Sequence, residues 1–183
     1  DVLLAEQASW VQRMQKALVE MNNQLTEVLT DVMGLSGQAI IRAIVAGERD
    51  PKALARHRNA RVKASAVEIT KALTGNWRAE HLFVLGQALA MYDDIARHLV
   101  ECDARLQVLL SELGHSEVDL GKAPRAGSKV RQEFDARQTL ANWAGVDLTR
   151  INGLGLAAVM KILSEIGPDV SRFETVKHFC SWL

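Results

Sequence analysis

Residues 78–113 read RAEHLFVLGQALAMYDDIARHLVECDARLQVLLSEL, and within them Leu82, Leu85, Leu89, Tyr92, Ala96, Leu99, Cys102, Leu106, Leu109 and Leu113 recur at steps of three and four. Such steps keep apolar side chains on one face of an α-helix. The spacing predicts a single helix of about 35 residues, on the order of 50 Å long at the 1.5 Å rise of an α-helix. That length exceeds what a compact domain of this size needs. A coiled coil with a second chain would bury the stripe along its whole length. The alternative is an oversized bundle helix packed within one chain.

Upstream, Trp10, Met14, Leu18, Met21, Leu25, Val28 and Val32 give a second, heptad-like seam. The seam predicts one helix ending at Gly34-Leu35-Ser36-Gly37, with Gly as the C-terminal cap. A short apolar helix over Gln38–Ala46 follows and stops at Gly47. Asp50-Pro51 is a strong helix start, because Asp can accept from free amides and Pro suits the first helical position. Helices are expected over Pro51–Arg58 and Val62–Leu73, the latter ending at Thr74-Gly75-Asn76. Gly114–Lys129 is rich in Gly, Ser and charge and reads as a linker. A helix over Arg131–Trp143 comes next. The expected organisation is a helical coiled-coil dimerisation region over 1–113, a linker over 114–129, and a small helix-hairpin-helix domain over 130–183. The fold class is all-α, with long antiparallel helices.

Composition agrees with this reading. Of 183 residues, 48% are hydrophobic and only 5% aromatic, and three prolines leave long stretches free of helix breakers. With 22 basic and 22 acidic residues the formal charge is zero, so partners depend on how charge is distributed. Cys102 and Cys180 have no metal spacing and read as small core residues of a reduced, cytoplasmic protein. No run approaches the roughly 18 apolar residues of a membrane span, so no membrane partner is expected. The first residue lies inside a helical pattern and the last in an apolar stretch, and both ends read as cuts through a longer protein.

The clearest chemical signal lies in Val146–Leu163. A short helix ends at Ile151, the turn is Asn152-Gly153-Leu154-Gly155, and an Ala-rich helix begins at Leu156. Glycines allow a tight turn and close approach of backbone to a ligand. The free amides opening the second helix would then meet a phosphate oxygen. Ala157 and Ala158 would let the two helices pack closely. Such a helix-hairpin-helix contacts the backbone of DNA or RNA and carries affinity without sequence information. Asn152 stands where these motifs usually have Pro. An ordinary connection between helices is the other reading of the turn.

Several motifs together resemble one family. The segments Gly145-Val146-Asp147-Leu148-Thr149, Ile166-Gly167-Pro168-Asp169-Val170-Ser171-Arg172-Phe173 and Lys177-His178-Phe179-Cys180-Ser181-Trp182-Leu183 resemble the C-terminal domain of insertion-sequence transposases related to the Piv invertase, the group named IS one-ten. Gln12-Arg13-Met14-Gln15-Lys16-Ala17-Leu18, Met21-Asn22, Ala46-Gly47-Glu48-Arg49-Asp50-Pro51, Gly75-Asn76-Trp77-Arg78 and Glu80-His81-Leu82-Phe83 look like the middle region of the same proteins. The resemblance implies an N-terminal RuvC-like domain with four metal-binding carboxylates before Asp1, and a nucleophilic serine after Leu183. No catalytic residue and no cofactor would then belong to this chain, although the whole protein would use Mg ions. It also implies DNA and a guide RNA as partners, self-association as a dimer or higher, and a bacterial cytoplasm. The chain would be a non-catalytic piece of a transposase that holds subunits together and contacts nucleic-acid backbone. The competing reading is a helical structural or signalling dimer with no nucleic-acid role.

Other candidates are weaker. Asp93-Asp94, Glu101 and Asp103 read as solvated helix surface. His81, His98, His115 and His178 lack partners at ligand spacing, so no metal site is expected. The serines have no nucleophile-elbow context, and Ser171 reads as a helix cap. The basic run Arg49, Lys52, Arg56, His57, Arg58, Arg61 and Lys63 has only Glu48 and Asp50 as acidic neighbours. Within it Arg49, Lys52, Arg56, Arg58 and Arg61 are candidate phosphate contacts, with a solvated helix face as the alternative. Lys122, Arg125, Lys129 and Arg131 form a second basic group. Trp77 and Trp182 read as core anchors.

Overall fold

The computed structural model of the chain describes residues 2–113, 117–121 and 135–182, and among them every regular element is helical. In order these are α1 (Val2–Glu20), α2 (Leu25–Val28), α3 (Leu35–Val45), α4 (Pro51–Ala55), α5 (Ala66–Ala72), α6 (Ala79–Leu113), α7 (Ala136–Ala144), α8 (Leu156–Ile166) and α9 (Val176–Trp182), with a 3₁₀ turn at Leu148–Arg150 between α7 and α8. The chain forms two compact units, Asp1–Leu99 and Val100–Leu183, so their boundary falls inside α6. No described helix is long and apolar enough to cross a membrane.

The first seam is not one helix. α1 stops at Glu20 because Asn22 takes a left-handed conformation (φ 56°). The Asn23 amide donates to the Leu18 carbonyl (2.8 Å) and the Asn22 amide to the Val19 carbonyl (2.8 Å). That pair of bonds is a Schellman closure, with Asn in the place usually held by Gly. The expected continuation through Val32 fails for this reason. Even so, Met14, Leu18, Met21, Leu25, Leu29 and Val32 all reach one core, since the break carries the apolar series round a corner. Gly34 precedes α3 as its N-terminal flank (φ −70°, ψ 173°) rather than closing a helix, and Leu35, Ser36 and Gly37 form the first turn of α3. The Asn59 amide donates to the buried Ser36 hydroxyl (2.7 Å).

α4 begins where Asp50-Pro51 placed it, with the Asp50 carboxylate accepting from the Lys52 and Ala53 amides, but it ends at Ala55. α5 begins at Ala66 rather than Val62. Ser65 and Glu68 form a capping box there, in which the Ser65 hydroxyl accepts from the Glu68 amide and the Glu68 carboxylate from the Ser65 amide.

The core of the first unit joins Met14, Leu18, Met21 and Leu25 to Ile40, Ile41 and Ile44 of α3, Leu54 of α4, Ile69 and Leu73 near α5, and Leu85 and Leu89 of α6. Arg42 and Asp93 tie α3 to α6 through two bonds of 2.6 and 2.7 Å. The two side chains are roughly half exposed, so the pair contributes about 1 kcal/mol or less.

α6 runs over Ala79–Leu113, close to the expected span. Its apolar residues behave differently at the two ends. Leu85, Ala88, Leu89 and Ile95 are buried within the first unit, whereas Val100, Leu106, Val108, Leu109 and Leu113 are 38–47% exposed. Leu110 instead joins the core of the second unit with Leu140 of α7 and Val159 and Leu163 of α8. Cys102 and Cys180 are exposed, not core residues as expected; Cys102 lies on the uncovered part of α6 and Cys180 on α9.

Two close approaches constrain the first unit, one at Gly37, where a Cβ would stand 2.0 Å from the Val32 carbonyl oxygen, and one at Gly75. A Cβ on Gly75 would stand 2.2 Å from the Met21 carbonyl oxygen, an oxygen that also accepts from the Asn76 amide. Gly75→Ala is expected to destabilise the first unit by about 2–3 kcal/mol or more through forced backbone displacement. Urea denaturation measures it; an unchanged midpoint contradicts the close packing of this joint.

Candidate nucleic-acid interface

The second unit is organised around a buried ion pair. Asp147 is 5% exposed. The Arg137 guanidinium on α7 donates to its carboxylate (2.5 Å), and to the Leu120 carbonyl (3.0 Å) and Thr149 hydroxyl (3.2 Å). The same carboxylate accepts from the Thr149 amide (3.1 Å) and hydroxyl (2.6 Å), so it opens the 3₁₀ turn. Gln138 donates to the Val118 carbonyl and Asn142 accepts from the Val118 amide, which fastens 117–121 to α7. Of the expected linker, 114–116 and 122–129 lie outside the described residues, as do Arg131 and the start once expected for α7. The observed α7 starts after Asp135, whose side chain accepts from the Gln138 amide.

This pair positions the glycine turn. The chain leaves the 3₁₀ turn at Ile151, and the Leu154 amide donates back to the Ile151 carbonyl (3.0 Å). Gly153 has φ 91°, as the third residue of a type II turn requires. Leu154 packs inward on the core of Leu140, Val159 and Leu163, while Asn152, Gly153 and Gly155 are exposed. α8 then begins at Leu156 as expected. Ala157 is exposed, however, and the apolar packing of α8 falls to Val159, Leu163 and Ile166 rather than to the two alanines.

The two glycines have different physical roles. Gly153 is required by its left-handed backbone. Gly155 flanks α8 with an ordinary extended conformation (φ −78°, ψ 167°), and a Cβ there would meet nothing within 4 Å. No side chain caps the opening turn of α8, whose first long bond runs from the Val159 amide to the Gly155 carbonyl. The fold therefore does not need a glycine at 155, and its presence leaves the opening amides of α8 without a side-chain cap. Arg150, two residues before the turn, is exposed and was not singled out from the sequence.

The basic run divides. Arg49 bends inward: its guanidinium donates to the Ile44 and Glu48 carbonyls and sits 5.3 Å over the Trp77 ring. Arg58 is similarly used, donating to the Ala64 and Val62 carbonyls at 2.6 and 2.7 Å. Both act as internal staples. Lys52, Arg56 and Arg61 remain exposed. The structure thus leaves three of the five expected phosphate contacts with solvent-facing cations. Nothing in the sequence distinguished the stapling arginines from the exposed ones.

Asp93 and Asp94 are committed to Arg42 and Arg97, and no three His, Cys, Asp or Glu side chains come together among the described residues. His81 meets Glu20 at 3.0 Å. Trp77 is half-buried against the first core, and the Trp182 side chain lies outside the described residues. Ser171 does not cap a helix; Thr175 does, its hydroxyl accepting from the His178 amide (3.1 Å). Compared with protein-family models, with curated proteins and with solved structures, the chain matches none.

Burial alone would raise the carboxyl pKa of Asp147, but the hydrogen bonds from Thr149 and Arg137 outweigh it and hold the group below the usual carboxylate range. The unfolded carboxyl, near pH 3.9, therefore takes up its proton first as pH falls. The pair's stabilisation is complete above about pH 5 and fades through pH 4 and below. Asp147→Asn, which leaves Arg137 half paired, is expected to cost about 2–4 kcal/mol at pH 7 and less at pH 3. Hydrogen exchange of the α7 and α8 amides reads this; equal loss at both pH values contradicts it.

Proposed function

We propose that this chain is the non-catalytic middle region of a bacterial DNA transposase or recombinase, which pairs subunits and holds nucleic-acid backbone during transposition of an insertion sequence. The resemblance of its ordered motifs to the Piv-related transposases supports this reading. So does the geometry of residues 151–158, and the single observation that carries it is Gly155. A glycine that the backbone does not require stands at the mouth of an eleven-residue helix whose opening amides no side chain caps. Those amides and the positive end of the helix suit a phosphate oxygen. Arg150 beside the turn adds a cation, while Asn152 and Gly153 shape the approach. The partners are DNA and a guide RNA, bound through the sugar-phosphate backbone, in the bacterial cytoplasm. Metal-dependent strand chemistry belongs to the rest of the protein.

The arrangement separates stability from binding. Gly155→Asp supplies the missing cap and is expected to raise stability by a few tenths of a kcal/mol. It also places a carboxylate where the phosphate would sit. Affinity for a mixed-sequence DNA duplex is expected to fall about tenfold or more, and the slope of log affinity against log salt to lose about one unit. Fluorescence anisotropy across a salt series measures both. Unchanged affinity removes the turn from the interface. No binding of DNA or RNA even at low salt leaves the helical dimer without a nucleic-acid role.

Subunit pairing is assigned to the distal part of α6. Leu106, Leu109 and Leu113 are spaced at three and four and stay 38–42% exposed on the single chain, as a helix-to-helix seam with a second copy requires. Light scattering at micromolar concentration is expected to give twice the chain mass, and Leu106→Glu with Leu109→Glu to give the chain mass. A monomer from the unaltered chain refutes the pairing.

A further inference from the structure

We propose that the cleft between α4 and α5 is a docking site for an acidic peptide segment bearing aliphatic side chains. This goes beyond the phosphate contact at the glycine turn and lies in the other unit. α5 is apolar on two faces. Ile69, Ala72 and Leu73 enter the core of the first unit, while Ala66, Val67 and Thr70, with Ala55 of α4, line an open cleft of about 390 Å³. Val67 is 65% exposed, a β-branched side chain held at the surface within that cleft.

Cations rim this aliphatic floor. Lys52 and Arg56 stand four residues apart, at the foot of α4 and just past its end, and Lys71 stands on α5. The acids nearby are turned to other work. The Glu48 carboxylate accepts from the Arg49 and Asp50 amides, both at 2.8 Å. Asp50 accepts from the Lys52 and Ala53 amides at 3.0 and 3.3 Å. Glu68 accepts from the Ser65 amide at 2.7 Å, and its carboxyl is held below the usual range chiefly by hydrogen bonds with Ser65, with a smaller contribution from the Lys71 charge. No ion pair within 4 Å joins Lys52, Arg56 or Lys71 to a carboxylate among the described residues. The three acids stabilise helix starts, and the cations beside them face solvent.

The occupant must satisfy both features. A nucleic-acid strand would use the cations but not the floor, which has no aromatic ring on which a base could stack. A neutral apolar peptide would use the floor and leave the cations idle. A segment with Leu, Ile or Val flanked by Asp or Glu uses both, in the helix-in-groove manner that two neighbouring helices offer. Such a contact is favoured at low salt, because its charged rim lies in water.

A random 12-residue peptide display library selected on the whole chain tests this. Enriched peptides are expected to combine acidic and aliphatic residues. A selected peptide, followed by fluorescence anisotropy, is expected to bind at least tenfold more weakly to Val67→Glu and to the paired Lys52→Glu and Arg56→Glu variant. Its own Glu→Gln form is expected to bind weakly too. All three positions are exposed, and circular dichroism checks that helicity is kept. Absence of enrichment overturns the proposal, as do selected peptides indifferent to both variants. A 20-nucleotide single-stranded DNA that binds the charge-reversed pair weakly but Val67→Glu normally, with no peptide enriched, assigns the surface to nucleic acid instead.

Discussion

A backbone joint governs the first unit. The Gln24 amide donates to the Ala72 carbonyl and the Asn76 amide to the Met21 carbonyl, each at 2.8 Å, so the exit of α1 and the exit of α5 are sewn together by main chain alone. Asn22 makes the corner and Gly75 supplies the clearance. Asn23, 1% exposed, lies in the same joint with its side-chain amide 3.5 Å from the Met21 carbonyl. Main-chain bonds of this kind hold whatever the side chains are, but only if no Cβ intrudes. Everything that packs on Met21 and Leu25, including α3 and the proximal part of α6, depends on that corner.

The second unit answers the same problem with charge. Its small apolar core of Leu110, Leu140, Val159 and Leu163 could not by itself set the path from α7 through the turn to α8. Arg137 and Asp147, ten residues apart, fix that path from within. Removing one partner strands the other in a poorly solvated place, so the pair acts as a specification of geometry more than as a source of stability.

Local signals were legible in the sequence. The span of α6, the start of α4 at Asp50-Pro51 and the start of α8 at Leu156 each rest on caps, breakers or periodicity within a few residues. The break after α1 was not, because apolar steps of three and four continue through Leu25, Val28 and Val32 whether the helix is straight or turns a corner. The capping box at Ser65 and Glu68 was present in the residues and sets the start of α5 more sharply than the apolar series does. At the candidate interface the turn itself could be read, but not which glycine the backbone needs; that depends on φ at 153 and on the empty space around 155. The division of the basic run also lay beyond sequence, since Arg49 and Arg58 are recruited by carbonyls that only the folded chain brings near.

The gathering of basic residues around α4 and α5 has a consequence for the molecule as a solute. Formal charge is zero at pH 7, yet residues 48–71 carry seven Lys and Arg against three Asp and Glu, which leaves the rest of the chain with a matching negative excess. A chain of that kind is a dipolar particle, not an uncharged one. At neutral pH its copies attract through unlike patches instead of repelling through like ones, and dissolved salt weakens the attraction within a Debye length of about 10 Å at 0.1 M. Solubility near neutrality therefore rises with ionic strength: the protein salts in.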